Sequence, residues 1–363
     1  MQRTSFRKVS MIAALLAVAV CASGADKESR PVESAGKLRV GQAEIAFSAN
    51  ENGKLKMAQF PGAVEQAYKL ARQRYGEGTP KVVLVQTNVR AGIAKQIAFI
   101  HDKYAAGAPL YGVGTGSDSY SIVGQSVFLG KKQPGMSVLF LGGDITIQPA
   151  VVTDFVMPVK DWNIKDEAVR AAEKKKHAEW GRELARQVKP VAGKTNVFLQ
   201  LGTQHVPRMS WVHVGTTEVL GEKVYIAGGA AADHGFIFDK GKTVPNALLG
   251  ILISGDFRVA LVGSDKVPEP KMPTVLREKL TDVTRALGVV PELTMYFACV
   301  SWRHGLEQQK QAVNEVLGTA PLFGAGVTWS TWFSGRSIIP ALTVAAAVVA
   351  YVWLRFSKRR EET

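Results

Sequence analysis

Cysteine is nearly absent from this chain of 363 residues: there are two, Cys21 and Cys299. Once the amino-terminal segment is set aside only Cys299 remains, which excludes an intrachain disulfide and a cysteine-based metal site. The six histidines (His101, His177, His205, His213, His234 and His304) show no metal-ligand spacing with a further acid or histidine nearby. G-x-S-x-G is missing too, so no serine nucleophile elbow is indicated. Basic residues are plentiful, 45 against 31 acidic, yet no Lys/Arg stripe is interleaved with aromatics. That argues against a nucleic-acid partner. Without the terminal segments the net charge falls from +14 to about +8, an ordinary solvated surface.

What the chain does have is repetition. Ala108-Pro109-Leu110-Tyr111-Gly112-Val113-Gly114 returns as Ala320-Pro321-Leu322-Phe323-Gly324-Ala325-Gly326, and Val224-Tyr225-Ile226-Ala227-Gly228-Gly229 is a looser copy. Upstream, Leu70-Ala71-Arg72-Gln73 recurs as Leu184-Ala185-Arg186-Gln187, and Val83-Leu84-Val85-Gln86 as Val197-Phe198-Leu199-Gln200. These pairs align Tyr111 with Tyr225 and Gly114 with Gly228. Downstream, Gly143-Asp144 answers Gly255-Asp256. A colinear series of this kind means one supersecondary unit used more than once.

The two ends read differently from the middle. Residues 1–25 have the form of a secretory signal: basic Arg3, Arg7 and Lys8, an apolar run from Met11 to Val20, then small residues to Ala25. Cys21 stands at a lipid-acceptor position, although Val20 is bulky where a small residue is usual. Ser337 to Leu354 is an 18-residue uncharged run, long enough to span a bilayer core of about 30 Å as a helix. Tyr351 and Trp353 suit an interfacial belt, and the basic tail 355–363 suits the cytoplasmic side. The expectation is a single-pass membrane protein, its globular part outside the cytoplasm as a periplasmic or cell-surface domain.

Between the ends, hydrophobic periodicity predicts an α/β fold of tandem βαβ-containing repeats with mixed sheets, plus the carboxyl-terminal transmembrane helix. Strands are expected over Leu38–Ser48, Lys81–Gln86, Ser137–Leu141, Asn196–Leu201 and Asn246–Asp256, with helices over Ala63–Tyr75, Ala91–Tyr104 and Ser210–Leu220. The Ala-, Lys- and Glu-rich stretch Asp161–Val188 reads as the opening helix of the second copy, with His177 on its charged, solvated face. Residues 38–160 form the first repeat and 161–330 the second and third. Pro268–Pro273 reads as a loop.

Three passages carry a resemblance. Gly228-Gly229-Ala230-Ala231-Ala232-Asp233 with Phe236, Phe238 and Gly255-Asp256 resembles the core of the FIST domain. Phe297-Ala298-Cys299, Arg303, Gly305-Leu306 and Ala320–Gly324 resemble the close of the FIST C-terminal domain, and Tyr111-Gly112 with Gly142-Gly143-Asp144 the FIST N-terminal domain. The likeness covers about residues 40–330. It departs from the family at Gly116-Ser117-Asp118 and Val327-Thr328-Trp329, where an acidic segment is usual, and spaces Cys299 and Arg303 one residue wider. The resemblance implies a sensory module that binds a small ligand such as an amino acid. Some relatives bind haem, and the output would pass to a membrane signalling partner.

Ligands in open α/β sheets bind beyond the carboxyl ends of strands. The glycine segments, read as turns at those ends, nominate Thr115, Ser117, Asp118, Gly228, Gly229, Asp233, His234, Cys299, Arg303 and Thr328 as ligand-binding residues. Two carboxylates and an arginine suit a zwitterion. No catalytic residue, metal or required cofactor is indicated, although His234 is a candidate haem ligand. Cys299 with His304 is the one suggestive nucleophile–base pair, which keeps a hydrolase open as an alternative, as is a partner-docking protein. Gly112-Val113-Gly114-Thr115-Gly116 does not complete a dinucleotide fingerprint, because Ser117 stands where the third glycine belongs.

Overall fold

A computed structural model describes residues 17–22, 38–47, 56–89, 91–115, 122–124, 134–155, 164–203, 209–230, 235–262, 271–288, 291–299, 306–318 and 320–327. The predicted strand–helix–strand order is present three times. Unit 1 runs through β2 (Leu38–Ala46), α1 (Phe60–Tyr75), β3 (Val82–Thr87), α2 (Ala91–Tyr104), β4 (Leu110–Gly114), β5 (Ile122–Gly124) and β6 (Gly135–Gly143). Unit 2 runs through β7 (Ile145–Val152), α3 (Glu167–Arg186), β8 (Thr195–Gly202), α4 (Met209–Leu220), β9 (Tyr225–Ala230), β10 (Phe236–Asp239), β11 (Lys242–Pro245) and β12 (Leu248–Gly255). Unit 3 supplies β13 (Phe257–Val262), α5 (Met272–Leu287), β14 (Leu293–Cys299), α6 (Leu306–Leu317) and β15 (Leu322–Val327). The remaining strand, β1 (Ala17–Ala22), lies within the expected leader. It pairs antiparallel with β13 and β14.

Each unit builds its own mixed sheet. The orders are β11-β10-β4-β3-β6-β2, β7-β12-β8-β9 and β13-β1-β14-β15-β5. In each, two strands joined by a helix lie parallel: β3 with β4, β8 with β9, β14 with β15. One face of every sheet contributes to a shared apolar core, where Leu84, Leu141, Leu199, Ile251, Met295 and Phe323 meet. The other face of each sheet is covered by its own pair of helices, giving three outer cores. Two packed layers per unit, repeated around one centre, satisfy both faces of strands that read as continuous apolar runs.

Local sequence explains the helices. In α1, Phe60, Val64, Ala67, Tyr68, Ala71 and Tyr75 recur at helical spacing and are buried. Pro61 sits in its first turn, and Gly76 closes it at φ +78°. At the start of α3, Asp166 accepts hydrogen bonds from the backbone N–H groups of Ala168 and Val169, a cap contributing about 1 kcal/mol. Proline ended the expected loop in the wrong place: Pro273 is a first-turn residue of α5, and Gly288 caps that helix in the left-handed conformation.

Three expectations change. The glycine segments are strands, not turns: Gly112, Gly228 and Gly324 lie inside β4, β9 and β15. A Cβ there would fall 1.9, 2.0 and 1.8 Å from the carbonyl oxygens of Val85, Gln200 and Tyr296 on the neighbouring strand. These shared close approaches also correct the repeat register. Gly112 corresponds to Gly228 and Gly324, so Tyr111 matches Ala227 and Phe323 in the shared core, not Tyr225. The sequence identities had aligned Gly114 with Gly228, two residues out of step. His177 is not solvated either. It is fully buried, its Nδ1 bonds the Glu173 carbonyl at 2.7 Å, and Phe155, Trp180 and Trp211 meet its ring edge-on. Among the described residues no helix is long and apolar enough to cross a membrane. The run 337–354 lies outside them, as do residues 1–16 and 23–25 of the expected leader.

Candidate functional site

The strands that flank the candidate segments pair with one another. Residues 116–121 leave the carboxyl end of β4 and re-enter as β5, whose Ile122 pairs with Ala325 near the carboxyl end of β15. Residues 231–235 leave the end of β9 and re-enter as β10, whose Phe236 pairs with Gly114 at the end of β4. Unit 1 is thus stitched to unit 3 and to unit 2 where their parallel strands finish. Ser117 and Asp118 belong to the first connection, Asp233 and His234 to the second, and Thr328 begins the segment after β15. These five and Arg303 lie outside the described residues, and Cys299 is the last residue of β14.

Of the remaining nominations, Thr115 is buried and its N–H donates to the Thr87 carbonyl at 2.8 Å, extending the β3–β4 ladder by one bond. Gly228 and Gly229 are buried in the ladder of β9. Glycine at 228 is therefore required by packing before any ligand enters the argument.

Beside these strand ends units 1 and 2 carry the same fastening. Asn88, one residue beyond β3, accepts from the Gly135 N–H at 2.7 Å. Thr203, one residue beyond β8, accepts from the Ala247 N–H at 2.9 Å. Each ties the end of a parallel strand to the start of the central antiparallel strand. By register Cys299 holds the equivalent position in unit 3, since Val85, Gln200 and Tyr296 correspond. This post is structural in the other two units, which weakens the case for Cys299 as a nucleophile. Thr203→Val is expected to cost about 1–3 kcal/mol in urea unfolding, because the buried Ala247 N–H loses its acceptor without gaining water.

Sequence reasoning missed a buried polar row. Strand alternation puts Leu38, Val40, Leu84, Leu139 and Leu141 on the inner face of sheet 1. The same alternation turns Gln42, Glu44, Gln86 and Ser137 inward. Glu44, Ser137, Gln86 and Val113 stand side by side on four adjacent strands. The equivalent row of unit 2 is Val151, Leu249, Leu201 and Gly229, apolar throughout. In unit 3, Phe297 opposite Ala325 continues the apolar pattern. Only unit 1 has exchanged core residues for polar ones, and it has done so one residue before the carboxyl end of β3.

The row is closed to solvent. Gln86 and Gln42 are each 1% exposed and Ser137 is fully buried. The Gln42 amide donates to Glu44 Oε2 at 2.6 Å and to Ser137 Oγ at 3.2 Å. Among the described residues its Oε1 is left without a partner, as are both Oε1 and Nε2 of Gln86. Buried amide groups are normally hydrogen-bonded, so an orphaned carboxamide on an apolar face calls for an explanation. Nearby, burial pushes the Tyr111 hydroxyl up to about 12, with Asp239 adding to the shift. The Tyr296 hydroxyl is raised by burial alone and donates to Gln309 at 2.6 Å.

A separate groove of about 600 Å³ lies at the opposite end of β4, between the close of α2 and the β10–β11 turn. It is lined by His101, Asp102, Lys240 and Lys242 among others. Burial lowers the His101 pKa against a smaller raising effect from its bond to the Ala108 carbonyl, 2.7 Å long. Nothing ties this groove to the strand ends. Among the described residues no group of three His, Cys, Asp or Glu side chains is placed to hold a metal ion.

No family model matches the chain, and no curated protein does. Among solved structures, cyanuric acid hydrolase from A. caulinodans aligns over 62% of this chain and 72% of its own. The pair are 13% identical with a TM-score of 0.30. A likeness that faint carries no functional argument.

Proposed function

We propose that the protein is a FIST-type binding module that takes a small polar ligand, such as an amino acid, at the carboxyl ends of the unit 1 strands. The observation that carries the reading is Gln86. Its carboxamide is 1% exposed, has no hydrogen-bond partner among the described residues and stands where unit 2 has Leu201. A buried donor and acceptor held unsatisfied favour a guest that offers both. The Glu44 carboxylate, two strands across the sheet, is of the right charge for an ammonium group. Ser117 and Asp118 follow β4 in the sequence, and Asp233 and His234 follow β9. The fastening role shared by Asn88 and Thr203 leaves less support for catalysis by Cys299.

The test is a thermal-shift and calorimetric screen of the full chain against the twenty amino acids, small organic acids and haemin. A saturable rise in Tm with one amino-acid-like compound, with a matching calorimetric Kd, is the expected result. A response to haemin alone would replace the reading with a haem module, and silence across the panel would remove it.

A further inference from the structure

The three units are joined by a rule that the described residues satisfy twice. The strand following each unit's last parallel strand pairs with another unit: β5 of unit 1 lies on β15, and β10 of unit 2 lies on β4. Continued, the rule sends the segment after β15, which begins at Thr328, onto the free side of β9. Among the described residues β8 is the only strand paired with β9, and Tyr225 at its start is 39% exposed. The chain then returns to its own sheet as a central strand, antiparallel to both neighbours. This is β6 between β2 and β3, and β12 between β7 and β8. In unit 3 that slot, between β13 and β14, holds β1 from the far end of the sequence.

The tail has the sequence that the rule requires. In unit 2, Phe238 is followed by Gly241, Lys242 and, seven residues on, Pro245; the apolar central strand opens three residues later at Leu248. In the tail, Phe333 is followed by Gly335, Arg336 and, again seven residues on, Pro340; Thr343–Ala350 then reads Thr-Val-Ala-Ala-Ala-Val-Val-Ala. Unit 1 shows the same order, with Gly130, Lys131 and Pro134 directly before β6. Phe238 pairs with Gly112, and Phe333 follows Gly324 by nine residues where Phe238 follows Gly228 by ten. Matching Pro340 to Pro245 also fixes a register. The β12–β7 pair Gly255–Ile145 becomes Ala350–Phe257, which sets Val348 opposite Val259. Those are the partners that β1 gives to Ala22 and Val20.

We propose that the carboxyl-terminal run completes unit 3. Residues 332–339 pair with the open edge of β9, and Thr343–Ala350 is the resident strand between β13 and β14, for which Ala17–Ala22 is a shorter competitor. Both segments are uncharged and rich in alanine and valine, so each satisfies a slot bounded by two sheet edges. The tail segment adds two residues of ladder and brings the β9 edge strand with it. The uncharged length that suggests a membrane span is, on this reading, the length of a strand buried on both faces together with its approach.

Paired cysteines decide between the occupants. Facing residues of an antiparallel pair lie within disulfide reach. In the full chain with Cys21→Ser and Cys299→Ser, Val259→Cys is combined with either Val348→Cys or Val20→Cys and oxidised. A second set uses Ala260→Cys with Ala347→Cys or Ala19→Cys, in case one site disturbs folding. The 259–348 and 260–347 links are expected to form in most of the protein, and at least as completely as the 259–20 and 260–19 links. Predominance of the links to residues 19 and 20 would overturn the proposal in favour of a permanent amino-terminal strand. Absence of the tail links with retention in carbonate-washed membranes would overturn it in favour of a membrane span, and absence of every link would overturn it outright.

Discussion

Gln86→Leu is expected to raise the Tm of the ligand-free protein by several degrees and to abolish its response to the amino acid that shifts the wild type. Both effects come from one group. Leucine nearly matches glutamine in volume, and Leu201 already occupies the corresponding position on β8. The substitution removes two buried polar atoms that make no hydrogen bond. An unsatisfied buried amide costs about 1–3 kcal/mol, and the larger part of that is recovered when the group is replaced by hydrocarbon. A stability gain coupled to loss of binding is the signature of a site maintained against the interest of the fold. Gln200→Leu is the control. That side chain lies beneath α4; its Oε1 receives a hydrogen bond from Thr216 Oγ1 at 2.7 Å while its Nε2 has no partner among the described residues. The substitution therefore loses one bond as it removes one orphaned donor, and should gain less stability than Gln86→Leu. If Gln86→Leu destabilises the protein, or leaves the ligand response intact, the carboxamide is a structural group and the polar row is not the site.

The sequence made some levels of this structure readable and concealed others for definite reasons. Helical stripes such as Ile97, Ile100 and Tyr104 identified α2 because a 3.6-residue period is a local property. The alternation after Leu38 identified β2 for the same kind of reason. It did not reveal which alternate set faced inward, because a sheet covered on both sides gives two inward faces. The alternation alone thus says nothing of Gln42 and Glu44, which stand on the face of the shared core. His177 was concealed by Lys174-Lys175-Lys176, which suggested a solvated surface, while the histidine lies one position round the helix beneath an aromatic cluster. The duplication was visible as a string of identities. Its true register depended on which glycines approach a neighbouring carbonyl, a constraint that exists only between strands. Of the nominated residues, those in the ladder proved to be packing positions, and the polar row was found only by comparing equivalent positions in the three sheets.

That register has its own consequence: Gly112→Ala is expected to cost about 2–6 kcal/mol, a large loss for a single methyl group. Gly112 has φ +143°, a conformation that side chains rarely adopt, and imposing one there costs about 1–3 kcal/mol. The added Cβ would also lie 1.9 Å from the Val85 carbonyl oxygen and 2.8 Å from its nitrogen, both backbone atoms of a central strand. No side-chain rotation relieves such a contact, so β3 and β4 must separate, adding an overpacking cost of about 1–3 kcal/mol. Against a total stability of about 5–15 kcal/mol, the variant should unfold at a markedly lower urea concentration and accumulate poorly. Gly228→Ala should behave alike, since its Cβ would meet the Gln200 carbonyl oxygen at 2.0 Å with φ +138°. Gly62→Ala provides the contrast. It lies exposed in α1 with nothing within 4 Å of the new methyl group, and should stabilise by about 0.5–1 kcal/mol through helix propensity. Equal midpoints for Gly112→Ala and Gly62→Ala would mean that β4 does not run beside β3 in the parallel register described, and the threefold equivalence of Gly112, Gly228 and Gly324 would fall with it.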